Sequence, residues 1–272
     1  MSTTPSIRCE TMTITPDVAL QWLETTNTRN RPVCQKHVNT LARDMRSGQW
    51  QPSHEGIAFD SHGVLLDGQH RLWAIVESQT PLETLVFYNV PKESILVIND
   101  GRRRTVVDRL KLANRDGNVS SHHTSTLRAM LGGFGTPPTL TVGETSDLLA
   151  VHRSAVEFAV KHLPCGQIKG ICNATTRAVI ARAWYSVDHD RLIQFCDILT
   201  SGIVGHIPSA AVFVSLRQFL IMTKNGPNAA RRQRYGKIQR ALQAFLNDEP
   251  ISKLVPANRE LYPLPNEKRK TA

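Results

Sequence analysis

At residues 64–76 the chain reads VLLDGQHRLWAIV, and this junction constrains the fold more than any other stretch. Branched apolar residues stop at Asp67-Gly68 and resume just past His70-Arg71 with helical spacing. The pattern predicts a short strand running into a helix, with polar residues where backbone N–H groups have no intrahelical partner. Gly68 permits a tight turn and the close approach of a ligand to the backbone. The helix start, with free N–H groups and the positive end of the dipole, is suited to an anion. Cations in a first helical turn cost roughly a few tenths of a kcal/mol when nothing binds there. A bound anion reverses that sign, with Arg71 offering a bidentate grip on phosphate and His70 a donor or proton carrier. Asp67 would repel the same phosphate unless a divalent metal bridges the two or Asp67 acts as a base. On these grounds phosphate binding and a merely solvated helix start both stand.

The flanking sequence predicts a mixture of strands and helices. TMTITPDVALQWL opens with alternation and turns helical at Pro16 or Asp17. Val38, Leu41, Ala42 and Met45 lie on one face of a helix ended by Gly48. GIAFD and VLLD, joined by SHG, read as a hairpin, and LETLVFYNV as a strand. ILVIND is ambiguous by period, and beyond it Thr105 caps a short helix VVDRLKL. NRDGNVSSHHTS (114–125) reads as a boundary loop in which His122 and His123 have no assigned role. Everything after it is helical by spacing, including SDLLAVHRSAVEFAVKHL as one helix and an Ala-rich stripe at Ala174, Ala178 and Ala181. The expected class is α+β: a small N-terminal α+β domain over 1–118, an all-α C-terminal half forming a basic helical domain over 119–258, and a loose tail over 259–272.

Charge separates the halves further. Residues 119–272 hold 19 Lys/Arg against 10 Asp/Glu, whereas residues 1–118 are near balance with 14 against 13. A half this basic attracts polyanions, DNA ahead of RNA. Arg231, Arg234 and Lys237 recur every three residues and are expected to share a stripe opposite the apolar face, where they would meet phosphates along a groove. The alternative is a solvated helix face. No run of eighteen apolar residues predicts a membrane span, and the start has no secretory build. Five scattered cysteines suit a reduced, cytoplasmic protein. His162, Cys165 and Cys172 hint at zinc without a fourth ligand, and ordinary core cysteines are the preferred reading.

A strand, D-G-Q-H-R-L at a helix start and a following LVFYNV strand resemble the ParB/sulfiredoxin-like superfamily, in particular ParB-N-like domains of phage and plasmid proteins. The resemblance covers roughly residues 10–112, and it implies a small fold whose loop and helix start hold the phosphates of a nucleoside triphosphate. In segregation proteins of the superfamily that nucleotide is CTP and gates a DNA clamp; in sulfiredoxin and a related free-serine kinase it is an adenine nucleotide with Mg²⁺. The resemblance places Gly68, Gln69, His70 and Arg71 on the phosphate loop. It places Asp67 where kinase-like members have a catalytic acid, and Glu55 at their second carboxylate. Segregation proteins have G-E-R-R where this chain has G-Q-H-R. Gln69 stands where sulfiredoxin has its reactive Cys, which argues against sulfinic acid repair. Asp100-Gly101-Arg102-Arg103-Arg104-Thr105 resembles a segment accompanying DGQHR in phage-type relatives, with Arg102 and Arg104 as further phosphate contacts or an exposed turn.

The expectation is therefore a nucleotide-binding protein whose basic half binds nucleic acid or forms a homodimer, with CTP or ATP and Mg²⁺ acting as a switch. Two alternatives stay open: a Mg²⁺-dependent phosphotransferase or nuclease in which Asp67, Glu55 and His70 carry the chemistry, and an adaptor that kept the fold and lost the site.

Overall fold

The computed structural model describes residues 6–28, 30–98, 104–114, 118–164, 168, 170–223 and 228–267. The protein is α+β, with a four-stranded sheet near the N-terminus and a C-terminal half built of helices. It divides into two compact units, Met1–Arg103 and Arg104–Ala272.

The first unit runs β1 (Arg8–Ile14), α1 (Pro16–Thr25), α2 (Gln35–Arg46), β2 (Ile57–Phe59), β3 (Leu65–Asp67), α3 (Gln69–Ser78) and β4 (Leu82–Tyr88). A 3₁₀ turn at Lys92–Leu96 takes in Ile95 and Leu96, the first two residues of the stretch whose period was ambiguous; Asn99 and Asp100 lie outside the described residues. The sheet order is β1-β4-β2-β3, with β1 and β3 antiparallel to their neighbours and β2 parallel to β4. Thr15 caps α1 with its hydroxyl and Pro16 takes a first-turn position, where its missing N–H costs nothing. The apolar faces of the helices cover the sheet: Val38, Ala42 and Met45 of α2 and Leu72 and Ile75 of α3 close over Ile14, Ile57 and Val86.

The second unit contains α4 (Val106–Asn114), α5 (Ser121–Gly132), α6 (Val142–Val151), α7 (Arg153–His162), α8 (Ala174–Ala183), α9 (His189–Ser201), α10 (Ala210–Met222) and α11 (Asn228–Leu246). Three expectations are corrected here. The boundary falls before α4, not at 118, because Leu110 is buried in the helical core together with Val119. The single helix expected over 146–163 is two, α6 and α7, meeting at His152, whose Nδ1 lies 2.6 Å from the Tyr185 hydroxyl. The tail expected to be loose is docked as far as Glu267, with Tyr262 and Leu264 buried against the helices; residues 268–272 lie outside the described residues.

α8 is the centre of this unit. Every residue from Thr175 to Ala183 is buried, including Arg177 and Arg182. Arg177 donates through Nε to the carbonyl of Leu163, just past the end of α7, where a cation suits the dipole.

Candidate functional site

Gly68 is the hinge between β3 and α3. Its φ is +104°, and a Cβ there would lie 2.6 Å from Ile57 Cδ1 and 3.2 Å from Ile57 Cα. Only glycine satisfies both the left-handed backbone and the close packing. A second close approach fixes the neighbour: a Cβ on Gly56 would strike the Leu85 carbonyl, so Gly56 lies flat on β4. The Gly56 carbonyl is left facing Arg71, whose Nη1 donates to it.

α2 and α3 run side by side in the same direction. Their starts meet where the Cys34 N–H donates to His70 Nε2 at 3.0 Å, and their ends meet where Arg46 reaches the Glu77 carbonyl and Ser78 Oγ contacts Met45 Sδ. Neither start has a side-chain cap: Cys34 at the head of α2 and Gly68 at the head of α3 make no such bond. The N–H groups of Gln35, Lys36, Gln69 and His70 donate to no group among the described residues. Two dipoles therefore add their positive ends at one place.

The side chains around this place are mostly cationic or able to become so. The His37 and His70 rings are 5.3 Å apart, edge to face. Burial, then His37 and Arg31, hold the His70 imidazole below its ordinary titration range, with Asp67 pulling weakly the other way. Because Nε2 accepts the Cys34 N–H, His70 is neutral there, and any proton it gives to a ligand comes from Nδ1. Arg71 keeps 13% of its side chain exposed, between Glu55 Oε2 at 3.1 Å and Asp67 Oδ2 at 4.0 Å. β3, α3 and the segment before β2 thus bring together Asp67, Arg71 and Glu55, three of the residues singled out in the sequence.

Gln69 does something else. It is buried, its Nε2 donates to the Arg31 carbonyl at 2.9 Å, and its Oε1 accepts from Asn27 at 3.5 Å. The Gln69 side chain is taken up by Asn27 and Arg31 of the 27–34 segment, so of the expected phosphate-loop contacts Gln69 could offer only its backbone N–H. That segment, which brings Arg31 and Cys34 to the site, was missed by sequence reasoning. Its signal was Asn27, Asn30 and Arg31 crowded just before a helix; Asn30 ties it to the Leu65 carbonyl at 2.9 Å.

No protein-family model, curated protein or solved structure matches the chain.

Of the other candidates, Arg102 and Cys165 lie outside the described residues, and Arg104 is exposed at the first position of the second unit. Among the described residues no group of three or more His, Cys, Asp and Glu side chains is placed to hold a metal. The basic stripe expected on α11 does not exist as a free surface. Arg231 donates to the carbonyls of Gly133 (2.9 Å) and Gly135, and Arg234 is buried against the Thr223 carbonyl at 3.1 Å. Lys237 Nζ sits 4.1 Å over the Phe219 ring. Their neighbours Arg232 and Arg240 are engaged with the Phe134 carbonyl and Glu249. α11 is packed on more than its apolar face, and the carbonyls left open at the end of α5 draw the guanidinium groups inward.

Proposed function

We propose that the first unit binds a phosphate group, in the manner of ParB/sulfiredoxin-like domains, where α2 and α3 begin together. One observation carries this reading: two uncapped helix starts lie side by side with Arg31, His37, His70 and Arg71 around them. Uncapped amides at two positive helix ends, with the Arg71 guanidinium beside them, favour an anion, and a polyphosphate whose charge is shared with a divalent metal at Asp67 and Glu55 suits the place. Arg71 supplies the bidentate grip, the free amides supply the cradle, and Gly68 admits the ligand to the backbone.

A nucleoside triphosphate with Mg²⁺ fits this set. Mg²⁺ is commonly held by one or two carboxylates together with phosphate oxygens. Asp67 is part-exposed and only loosely paired, so it is the residue to hold the ion, with Glu55 turning from Arg71 to assist. The same pair of carboxylates favours a second reading, a Mg²⁺-dependent phosphotransferase or nuclease. The nucleic-acid part of the proposal rests on the charge of residues 119–272 and no longer on α11.

The test is a thermal-shift series with ATP, CTP, GTP, UTP and inorganic pyrophosphate, with and without Mg²⁺, on the wild type and Arg71→Gln. Specific binding raises the melting temperature by mass action. A rise with one nucleotide that Arg71→Gln removes supports the site and names its ligand. A flat response to every compound at millimolar concentration overturns it. Phosphate release from the bound nucleotide then separates the enzyme from the switch.

A further inference from the structure

The two edges of the sheet in the first unit are finished differently. β3, at one edge, is three residues long and its outer side is taken: the Leu65 N–H donates to the Thr26 carbonyl at 3.0 Å, and the Leu65 carbonyl accepts from Asn30 Nδ2 at 2.9 Å. β1, at the other edge, runs for seven residues in unbroken register with β4. Among the described residues, no group outside that ladder bonds to the backbone of Arg8–Ile14. Arg8, Cys9, Glu10, Thr11 and Thr13 are exposed. An open edge offers its N–H and C=O groups to any strand that can lie along it, and proteins commonly guard one with lysine, proline, a bulge or a covering loop. β1 carries no lysine, proline or bulge, and its two charges are of opposite sign.

Those two charges decide what can lie there. A second copy of β1, set antiparallel about a two-fold axis normal to the sheet, places opposite one another only residues whose side chains leave the same face. An axis at Arg8 or at Glu10 would set like charges face to face. An axis at Thr11 would set Arg8 against Ile14 and Glu10 against Met12. An axis at Cys9 sets Arg8 of each copy against Glu10 of the other, so the pair is made twice, and it sets the exposed Ile7 against Thr11. Opposed residues of an antiparallel pair have Cβ atoms about 4.5–5.5 Å apart, within reach of both side chains. Within one copy Arg8 and Glu10 stand 3.8 Å apart and are 63% and 43% exposed, which leaves both room to reach across. We infer that the chain self-associates through β1, two copies pairing antiparallel about Cys9 to join their four-stranded sheets into one of eight. The proposed phosphate sites lie toward the opposite edge, at β3, and stay uncovered. The two β3 strands would stand about 34 Å apart along a flat sheet of that size.

A single strand pair gives a weak dimer, so the test is sedimentation of the full-length protein in reducing buffer from micromolar to submillimolar concentration. Dimer is expected to grow with concentration. Arg8→Glu and Glu10→Arg each place like charges opposite one another and should weaken association by about tenfold, whereas the double variant Arg8→Glu/Glu10→Arg should recover it. The double variant alters the same surface positions as the single ones, so its recovery separates pairing from any effect on folding. A second readout concerns the axis: mild oxidation with diamide in a Cys34→Ser background should cross-link two copies through Cys9, and adding Cys9→Ser should remove the cross-link. The inference is overturned if the protein sediments as a monomer throughout, if Arg8→Glu leaves association unchanged, if the double variant associates no better than the single ones, or if Cys9→Ser leaves the yield of cross-linked dimer unchanged.

Discussion

Arg71 in the first unit and Arg231 in the second both reach backbone carbonyls, yet they differ in what else each one meets. Arg71 meets a single carbonyl, that of Gly56, and faces two carboxylates, exposed Glu55 and half-buried Asp67. Arg231 spans the carbonyls of Gly133 and Gly135 and, with Arg232 on Phe134, ties the turn after α5 to α11. The difference lies in what each guanidinium's surroundings leave unsatisfied. Helix starts have spare donors and repel a cation; helix ends have spare acceptors and absorb one. An arginine near a start is therefore the more exposed to ligand chemistry, and a run of arginines beside an end is better read as internal stitching.

Substitutions that move each arginine's role test this contrast. The largest effect is expected from Arg182→Leu, which strips two buried carbonyls and the carboxylates of Glu260 and Glu267 of their shared donor. A loss of about 3–5 kcal/mol is expected in denaturant unfolding of the second unit, since breaking a buried pair strands the other charge. Gly68→Ala should cost about 2–3 kcal/mol in the first unit, because φ is positive and Ile57 occupies the Cβ position. It should also remove any phosphate response, whereas Arg231→Gln should cost about 1–2 kcal/mol and leave that response intact. If Arg231→Gln instead weakens nucleic-acid binding without lowering stability, the inward role given to α11 is wrong.

A smaller loss, about 1 kcal/mol, is expected from His123→Ala, since the His123 Nδ1 accepts the Ser120 N–H at 3.2 Å at the head of α5. The smallest effect concerns pH. His70 is held below its ordinary value in the folded protein, so the unfolded chain takes up the proton first. Stability is complete above about pH 6.5 and is lost as pH falls below it toward the folded value. His152 and His162 are lowered likewise by burial, so His70→Gln should flatten only part of the slope. Tryptophan fluorescence isolates that part, because Trp22, Trp50 and Trp73 belong to the first unit and only Trp184 to the second.

Much of the first unit was legible because its signals are local. Period-two runs bounded by glycine gave the strands, and the junction at Asp67-Gly68 needed only a turn and a helix start. The cap at Thr105 was legible for the same reason, and Asp108 answers it with a bond to the Thr105 N–H at 2.9 Å. What could not be read depends on distant partners. Nothing in VCQKHV says that the Cys34 N–H will find His70, thirty-six residues on. Nothing in TRAVIARA says that Arg177 and Arg182 go inward while the surrounding alanines pack, because the carbonyls that receive them come from α5, α7 and the C-terminal segment. The stripe on α11 failed on the same point: spacing fixes which residues share a face and is silent on what the face meets.

The register of the sheet has a bearing on how the chain assembles. Among the described residues β1 pairs with β4 alone, with Arg8 opposite Tyr88 and Ile14 opposite Leu82. During synthesis the first strand must wait until some seventy later residues have emerged, while α1, α2 and the β2–β3 hairpin can already collapse on one another. β4 arrives last, and it joins the pieces by pairing with β1 on one side and β2 on the other. The paired helix starts are therefore seated on a completed sheet only at the end, so a nascent chain halted before residue 82 would hold the Asp67–Arg71 junction without the strand that keeps Gly56 beneath it.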